Sequence, residues 1–255
     1  MSKKWMDAMI IPYPPNRPAR TCTFECEYSD GSTSTEVTGE RVVSLTYRYA
    51  KSPATSITVS ASPSAAYNSD AQYMFSNCSY LTSLTLPAGF GSGVTNAQRM
   101  FVNCSRLRTL TLPEGFGSGV TNARSMFSNC YSLASLTLPA GFGADVTDAQ
   151  YMFSNCFDLT SLTLPAGFGA DVTNAGHMFD GCTRLETING GLAMKVSFDL
   201  SPTALDEASL VRVLDSLQAV SGETLTLGET LKAKLASDAG KAALAGAEAR
   251  GWTIK

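Results

Sequence analysis

Between Tyr73 and Ile188 the apolar residues follow one template that returns every 26 positions. Met74, Phe75, Cys78, Leu81, Leu84 and Leu86 form the first copy, with mostly polar residues between them. Met100, Phe101, Cys104, Leu107, Leu110 and Leu112 form the second, and further copies start at Met126 and Met152. A weaker copy starts at Met178. Within a copy, Leu84-Thr85-Leu86 alternates in and out as a half-buried strand does, and Pro87 ends it because proline cannot donate to a ladder. A glycine-rich turn, AGFGSG, follows, with Phe90 as its apolar anchor. In VTNAQRMFVNC, residues Ala97, Met100, Phe101 and Cys104 fall at i, i+3, i+4 and i+7, which predicts one face of a short helix. Thr95 or Asn96 is placed to cap it, and Thr95 with Gln98, Thr147 with Gln150 and Ser69 with Gln72 have capping-box spacing. Asn77, Asn103, Asn129 and Asn155 sit where a left-handed residue would end that helix, which predicts positive φ at or beside each.

The unit therefore reads as strand, turn, short helix, turn. Neither half can bury its apolar face alone, so the units must stack into one continuous core. The expected fold class is an α/β solenoid of period 26, with a parallel sheet on one face, short helices on the other and closure at both ends. Cys78, Cys104, Cys130, Cys156 and Cys182 share one column, which reads as a ladder of small buried apolar residues. Equivalent side chains in a stack point the same way, so disulfides between neighbouring copies are not expected.

The ends break the pattern. Residues 1–53 are expected to form a β-rich N-terminal cap, with alternation in RTCTFECEY, a turn at SDGS and further alternation in VVSLTYRY. Ser56–Ser62 reads as the first strand of the array sheet, slightly out of register. The array is assigned to 54–200. Residues 201–255 are expected to be capping coils, with helical patterns in DEASLVRVLDSLQ, ETLKAKLAS and KAALAGAEARG and strand patterns in ETLTLG and WTIK.

The letters MFSNCSYLTSLTLP, MFVNCSRLRTLTLP, MFSNCYSLASLTLP and MFSNCFDLTSLTLP share the pattern F-x-x-C-x-x-L-x-x-L-x-L-P. From about Ala71 to Ile188 the chain resembles the BspA-like (treponemal-type) leucine-rich repeat family. The resemblance implies a curved solenoid with its parallel sheet on the concave face, a bacterial surface location and a part in adhesion. It implies no shared catalytic activity. The fifth copy departs from the pattern, with Ile188 in place of leucine and no proline after it, as expected where an array ends.

Composition narrows the function classes. The net charge of −3 argues against general nucleic-acid binding, and no apolar run reaches the ~18 residues of a membrane helix. The first residues, MSKKWMDAMIIPYPP, make a poor signal peptide because Asp7 and Pro12 interrupt the apolar stretch. His177 is the only histidine, and its column (Tyr73, Arg99, Ser125, Tyr151) is expected to be exposed. No paired carboxylates or activated nucleophile emerge, so neither an enzyme, a cofactor nor a metal site is expected. Asp145 and Asp171 in GFGADV do not have the spacing of a calcium repeat, and GFGSGV lacks the lysine of a phosphate loop. The Ser/Thr ladder around Thr85, Thr111, Thr137 and Thr163 reads as a solvated strand face.

Three columns just before the strands vary while the core columns do not. They hold Tyr80, Arg106, Arg108, Tyr131, Phe157, Asp158, Arg184 and Glu186, and tyrosine, arginine and serine, which recur in these columns, are residues that adaptable binding surfaces favour. These eight are the candidate binding residues for a protein or glycan ligand, at a cell surface, extracellularly or on a virion. The alternative is a structural spacer, such as a phage virion or tail component, with no specific ligand.

Overall fold

The computed structural model describes residues 22–28, 30–38, 54–61 and 69–255. The alternating segment VVSLTYRY and the N-terminal MSKKWMDAMIIPYPP lie outside them. Strands β1 (Cys22–Tyr28) and β2 (Thr33–Thr38) make an antiparallel hairpin, whose turn is held by Asp30 accepting from the Ser32 N–H at 3.0 Å. Strand β3 (Ala54–Ala61) pairs antiparallel with β1 and parallel with β4 (Ser83–Thr85), Ile57 opposite Leu84. Ile57 lies 27 residues before Leu84, the slight register slip that the sequence implied.

Strands β5 (Thr109–Thr111), β6 (Ser135–Thr137), β7 (Ser161–Thr163) and β8 (Thr187–Asn189) form a parallel sheet in sequence order. Leu110, Leu136, Leu162 and Ile188 stand opposite one another and are buried, while the hydroxyl residues beside them face outward. One continuous sheet was expected, and the structure corrects this: β4 and β5 belong to different sheets. At this step the Ser105 hydroxyl donates to the Ser79 carbonyl (3.1 Å).

The helices expected between the strands do not form, a second correction. The segments from Ala71, Ala97, Ala123 and Ala149 are stacked turns. Tyr73, Arg99, Ser125, Tyr151 and His177 have φ of 54–60°, and the four asparagines have φ of 60–62°. Left-handed residues twice in five positions cannot continue an α-helix. Alternate N–H groups close tight turns within the copy: Met100 to Ala97, Val102 to Arg99 and Cys104 to Phe101. The others cross to the following copy: Ala97 to Asn122, Arg99 to Arg124, Phe101 to Met126 and Asn103 to Ser128. The same four crossings recur from Ala71, Ala123 and Ala149. The apolar residues at i, i+3, i+4 and i+7 are buried as on a helix face, but turns bring them there.

Side chains stack on this frame. Phe75, Phe101, Phe127, Phe153 and Phe179 pile face to face with centroids 5.4–5.7 Å apart. Phe90, Phe116, Phe142 and Phe168 form a second pile at 6.2–6.5 Å. Gly143 is required there: its φ is +83°, and a Cβ on it would lie 2.2 Å from the Phe168 ring. Asn103, Asn129 and Asn155 each donate an amide N–H to the asparagine of the preceding copy at 2.6–2.9 Å. At the fifth position a Cβ would lie 2.6 Å from Asn155 Oδ1, and the residue there is Gly181.

Past β8 the chain forms β9 (Phe198–Asp199), α1 (Glu207–Ser216), β10 (Thr224–Thr226), α2 (Gly228–Lys234), α3 (Asp238–Ala249) and β11 (Thr253–Ile254). β9, β10 and β11 make a second parallel sheet with β10 central. Helix α1 lies along the free edge of β8. The Ile188 N–H donates to Ser209 Oγ, Arg212 Nε donates to the Ile188 carbonyl, and the Leu192 N–H donates to Ser216 Oγ. The helix side chains thereby supply the partners that another strand would have supplied. Two side chains cap helices: Asp206 accepts from the Ser209 N–H at 2.7 Å, and Ser237 from the Gly240 N–H at 3.1 Å.

The asparagine ladder makes a testable claim. Asn129→Ala forces a β-carbon into the left-handed region and removes two amide bonds, so it should cost about 2 kcal/mol in a denaturant titration. Asn129→Gly keeps the backbone conformation and should cost about half as much.

Candidate functional site

The three variable columns lie immediately before the strands and flank the buried leucine column of Leu81, Leu107, Leu133, Leu159 and Leu185. With leucine anchored inside, its neighbours must point outward, so each copy presents the two residues before it and the one after it. Together they form a ledge beside the hydroxyl-rich strand face. Tyr80, Tyr131 and Phe157 are exposed to 42–43% of their surface, a large apolar presentation for residues on a regular scaffold. Arg106, Arg108, Arg184 and Glu186 are exposed and Asp158 is half-buried.

The structure brings six of the eight candidates together in three pairs. The Arg106 guanidinium lies over the Tyr80 ring, 4.6 Å from its centroid. Tyr131 stacks on Phe157 with centroids 5.2 Å apart and planes 20° from parallel. Arg184 Nη1 donates to Asp158 Oδ1 at 3.0 Å. Each pair joins one copy to the next, so residues 26 apart in sequence become neighbours. Such exposed contacts contribute little each, about 0.5–1 kcal/mol for the cation–π pair and about 0–1 for the ion pair. Their effect is to hold long side chains in set orientations. Arg108 and Glu186 form no ion pair among the described residues, and Arg108 stands next to β5 at the unpaired step between the two sheets.

The column of Tyr73, Arg99, Ser125, Tyr151 and His177 was expected to be exposed. Only His177 is, and Ser125 is buried. Positive φ lays these side chains along the stack: Arg99 Nη1 donates to the Tyr73 hydroxyl at 2.6 Å, and Tyr151 stacks on His177 at 4.8 Å. His177 Nδ1 is 2.7 Å from Asp180 Oδ2. Asp171 pairs with Lys195 at 3.4 Å. The contacts of this column were not foreseen, because nothing in the letters signals a left-handed arginine or tyrosine.

The cysteine ladder is buried and unoxidised. Cys104, Cys130, Cys156 and Cys182 each donate their thiol hydrogen to a phenylalanine carbonyl 29 residues earlier, at 3.1–3.2 Å. Burial pushes Cys78 and Cys182 up to about 12 and holds Cys104, Cys130 and Cys156 well above the ordinary thiol value. Protonated and enclosed, these thiols are poor nucleophiles.

Residues 71–195 match the description "BspA type Leucine rich repeat region", in 6 copies. This segment is a BspA-type leucine-rich repeat array. The BspA-type match begins where the resemblance was expected to begin and runs seven residues past Ile188, where that resemblance stopped, and it counts one copy more than the five read from the cysteine column. No curated protein and no solved structure matches the chain. BspA-type arrays are non-enzymatic repeat modules as a class, with binding as their general role. Among the described residues no helix is long and apolar enough to cross a membrane, and no group of three His, Cys, Asp or Glu side chains is placed to hold a metal ion.

The thiols of the BspA-type core give a pH prediction. Their folded pKa is raised, so the folded state keeps protons that the unfolded chain releases once pH passes the ordinary thiol value of 9.0. Their contribution to stability is full below that value and falls as pH climbs toward about 12. A thiol reagent at neutral pH should leave all five ladder cysteines unmodified in the native protein and label them rapidly in denaturant.

Proposed function

We propose that the chain is a non-enzymatic adhesion module that holds a protein or glycan ligand on the concave strand face and the ledge beside it. The ledge of Tyr80, Arg106, Arg108, Tyr131, Phe157, Asp158, Arg184 and Glu186 supplies the contacts that discriminate, and the strand face supplies a hydroxyl lattice. The β1–β2 hairpin at one end and residues 201–255 at the other close the array. Export to a bacterial surface or incorporation in a virion both suit such a module.

The observation that carries this reading is the exposure of Tyr80, Tyr131 and Phe157 on the variable ledge of a rigid core. Aromatic rings facing water at three copies add only small pairwise contacts to the folded chain, whereas buried against a partner they are the residues that carry binding energy. A spacer with no ligand has no use for them.

The test is a screen of the full chain against protein and glycan arrays, repeated with Tyr80→Ser, Tyr131→Ser and Phe157→Ser combined. The native chain should find ligands, and the triple variant should bind them at least about tenfold more weakly with an unchanged denaturation midpoint. A chain that captures nothing on either array is a spacer, and the adhesion reading then fails.

A further inference from the structure

The ledge is not uniform along the array, and the step between its first and second copies differs from all the others. In the column Thr82, Arg108, Ala134, Thr160 and Glu186, backbone N–H groups donate to the preceding copy. Thr82 donates to Thr55, Ala134 to Arg108, Thr160 to Ala134 and Glu186 to Thr160. The Arg108 N–H has no acceptor among the described residues, and neither has the Arg106 N–H. The strands beside them, β4 and β5, are the neighbours in the array that form no ladder. On the opposite side of the same two copies all four crossings are intact, from Ala71, Tyr73, Phe75 and Asn77. The copies are therefore joined along their turns and leave a gap in the backbone ladder along the ledge, where the Ser105 hydroxyl reaches the Ser79 carbonyl instead.

That opening carries two arginines and no carboxylate partner for either among the described residues. The Arg106 guanidinium sits over the Tyr80 ring and stays exposed to solvent, so its N–H groups remain open to an acceptor. Two backbone N–H donors and two guanidinium forks on one short stretch have surplus donor capacity and need acceptors. Beyond them come Tyr131 and Phe157. Their facing sides stack on each other, and Phe157 Cε1 lies close to Gly181, where a Cβ would be 3.0 Å from it. Both rings are exposed to 42–43% of their surface, apolar area that suits the methyl and methylene groups of apolar side chains.

We propose that the ledge docks an extended acidic polypeptide segment. One carboxylate of the segment meets the Arg106 and Arg108 guanidinium groups, main-chain carbonyls accept from the Arg106 and Arg108 N–H groups, and an apolar side chain next to the acid packs on Tyr131 and Phe157. This names the ligand class of the binding module proposed above and rests on that reading.

Random-peptide display against the full chain tests it, with heparin and a sulfated-glycan array in parallel. The expected outcome is enrichment of sequences with Asp or Glu beside an apolar residue. For a synthetic peptide of that type, Arg106→Gln with Arg108→Gln should lose at least about tenfold in affinity, and Arg106→Lys with Arg108→Lys, which keeps the charge but not the fork, should lose less. Tyr131→Ser with Phe157→Ser should weaken the same peptide independently. In hydrogen exchange the Arg108 amide should exchange faster than those of Ala134 and Thr160 in the free chain, and the peptide should protect it. Enriched peptides without acids, an unchanged glutamine variant, a protected Arg108 amide in the free chain, or sulfated glycans binding better than any peptide would each overturn the proposal. If those results come with ligands on the broad arrays, the adhesion reading stands and only the acidic-peptide assignment falls. If the arrays are empty too, both fall.

Discussion

The structure depends on backbone N–H groups that leave their own copy. In the first four array turns every second donor closes a tight turn at home, and the ones between reach carbonyls of the following copy. A single copy would leave four of these donors without partners, and leaving polar backbone groups unpaired in a core is costly. Cohesion is therefore a property of the stack. The same constraint dictates residue types: a turn that sends alternate donors outward needs left-handed residues at two places, and asparagine and glycine occupy one of them. Because copies repeat in strict register, each apolar column becomes a pile, with phenylalanine on phenylalanine and thiol beside backbone carbonyl.

The ledge inherits its order from this frame and is free of its demands. No ledge side chain takes part in the turn crossings, so these columns can change letter without disturbing the core. Each change is still read against the copy before and after it. That is why arginine falls on tyrosine, tyrosine on phenylalanine, and arginine beside aspartate. The hydrogen bonds of the array put side chains about 26 residues apart into contact, and function is written in the differences between copies. The gap in the ladder at Arg108 leaves a backbone donor on this surface in a column where Thr82, Ala134, Thr160 and Glu186 all donate to the preceding copy.

The far end of the array shows how a stack stops. Beyond β8 another strand would expose another edge. Helix α1 lies there instead, and Ser209, Arg212 and Ser216 bond the backbone that β8 leaves open. Side chains reaching from a helix satisfy a strand edge without presenting a new one, which guards against edge-to-edge association.

Much of this was legible in the letters. The buried leucines, methionines, phenylalanines and cysteines follow from period alone, because a column that must face the core in one copy must face it in all. Positive φ at the four asparagines followed from their place before a buried cysteine. The C-terminal helices and two of the three strands there followed from local periodicity, and only the two-residue β9 was missed. The turns were misread as helices, because apolar spacing of i, i+3, i+4 and i+7 reports which side chains face inward and not where the N–H groups go. Only the tertiary structure decided that, since the acceptors lie in the next copy. It also decided the break between β4 and β5 and the ring-on-ring contacts of the ledge. Those depend on the distance and angle between copies, and no single copy encodes either.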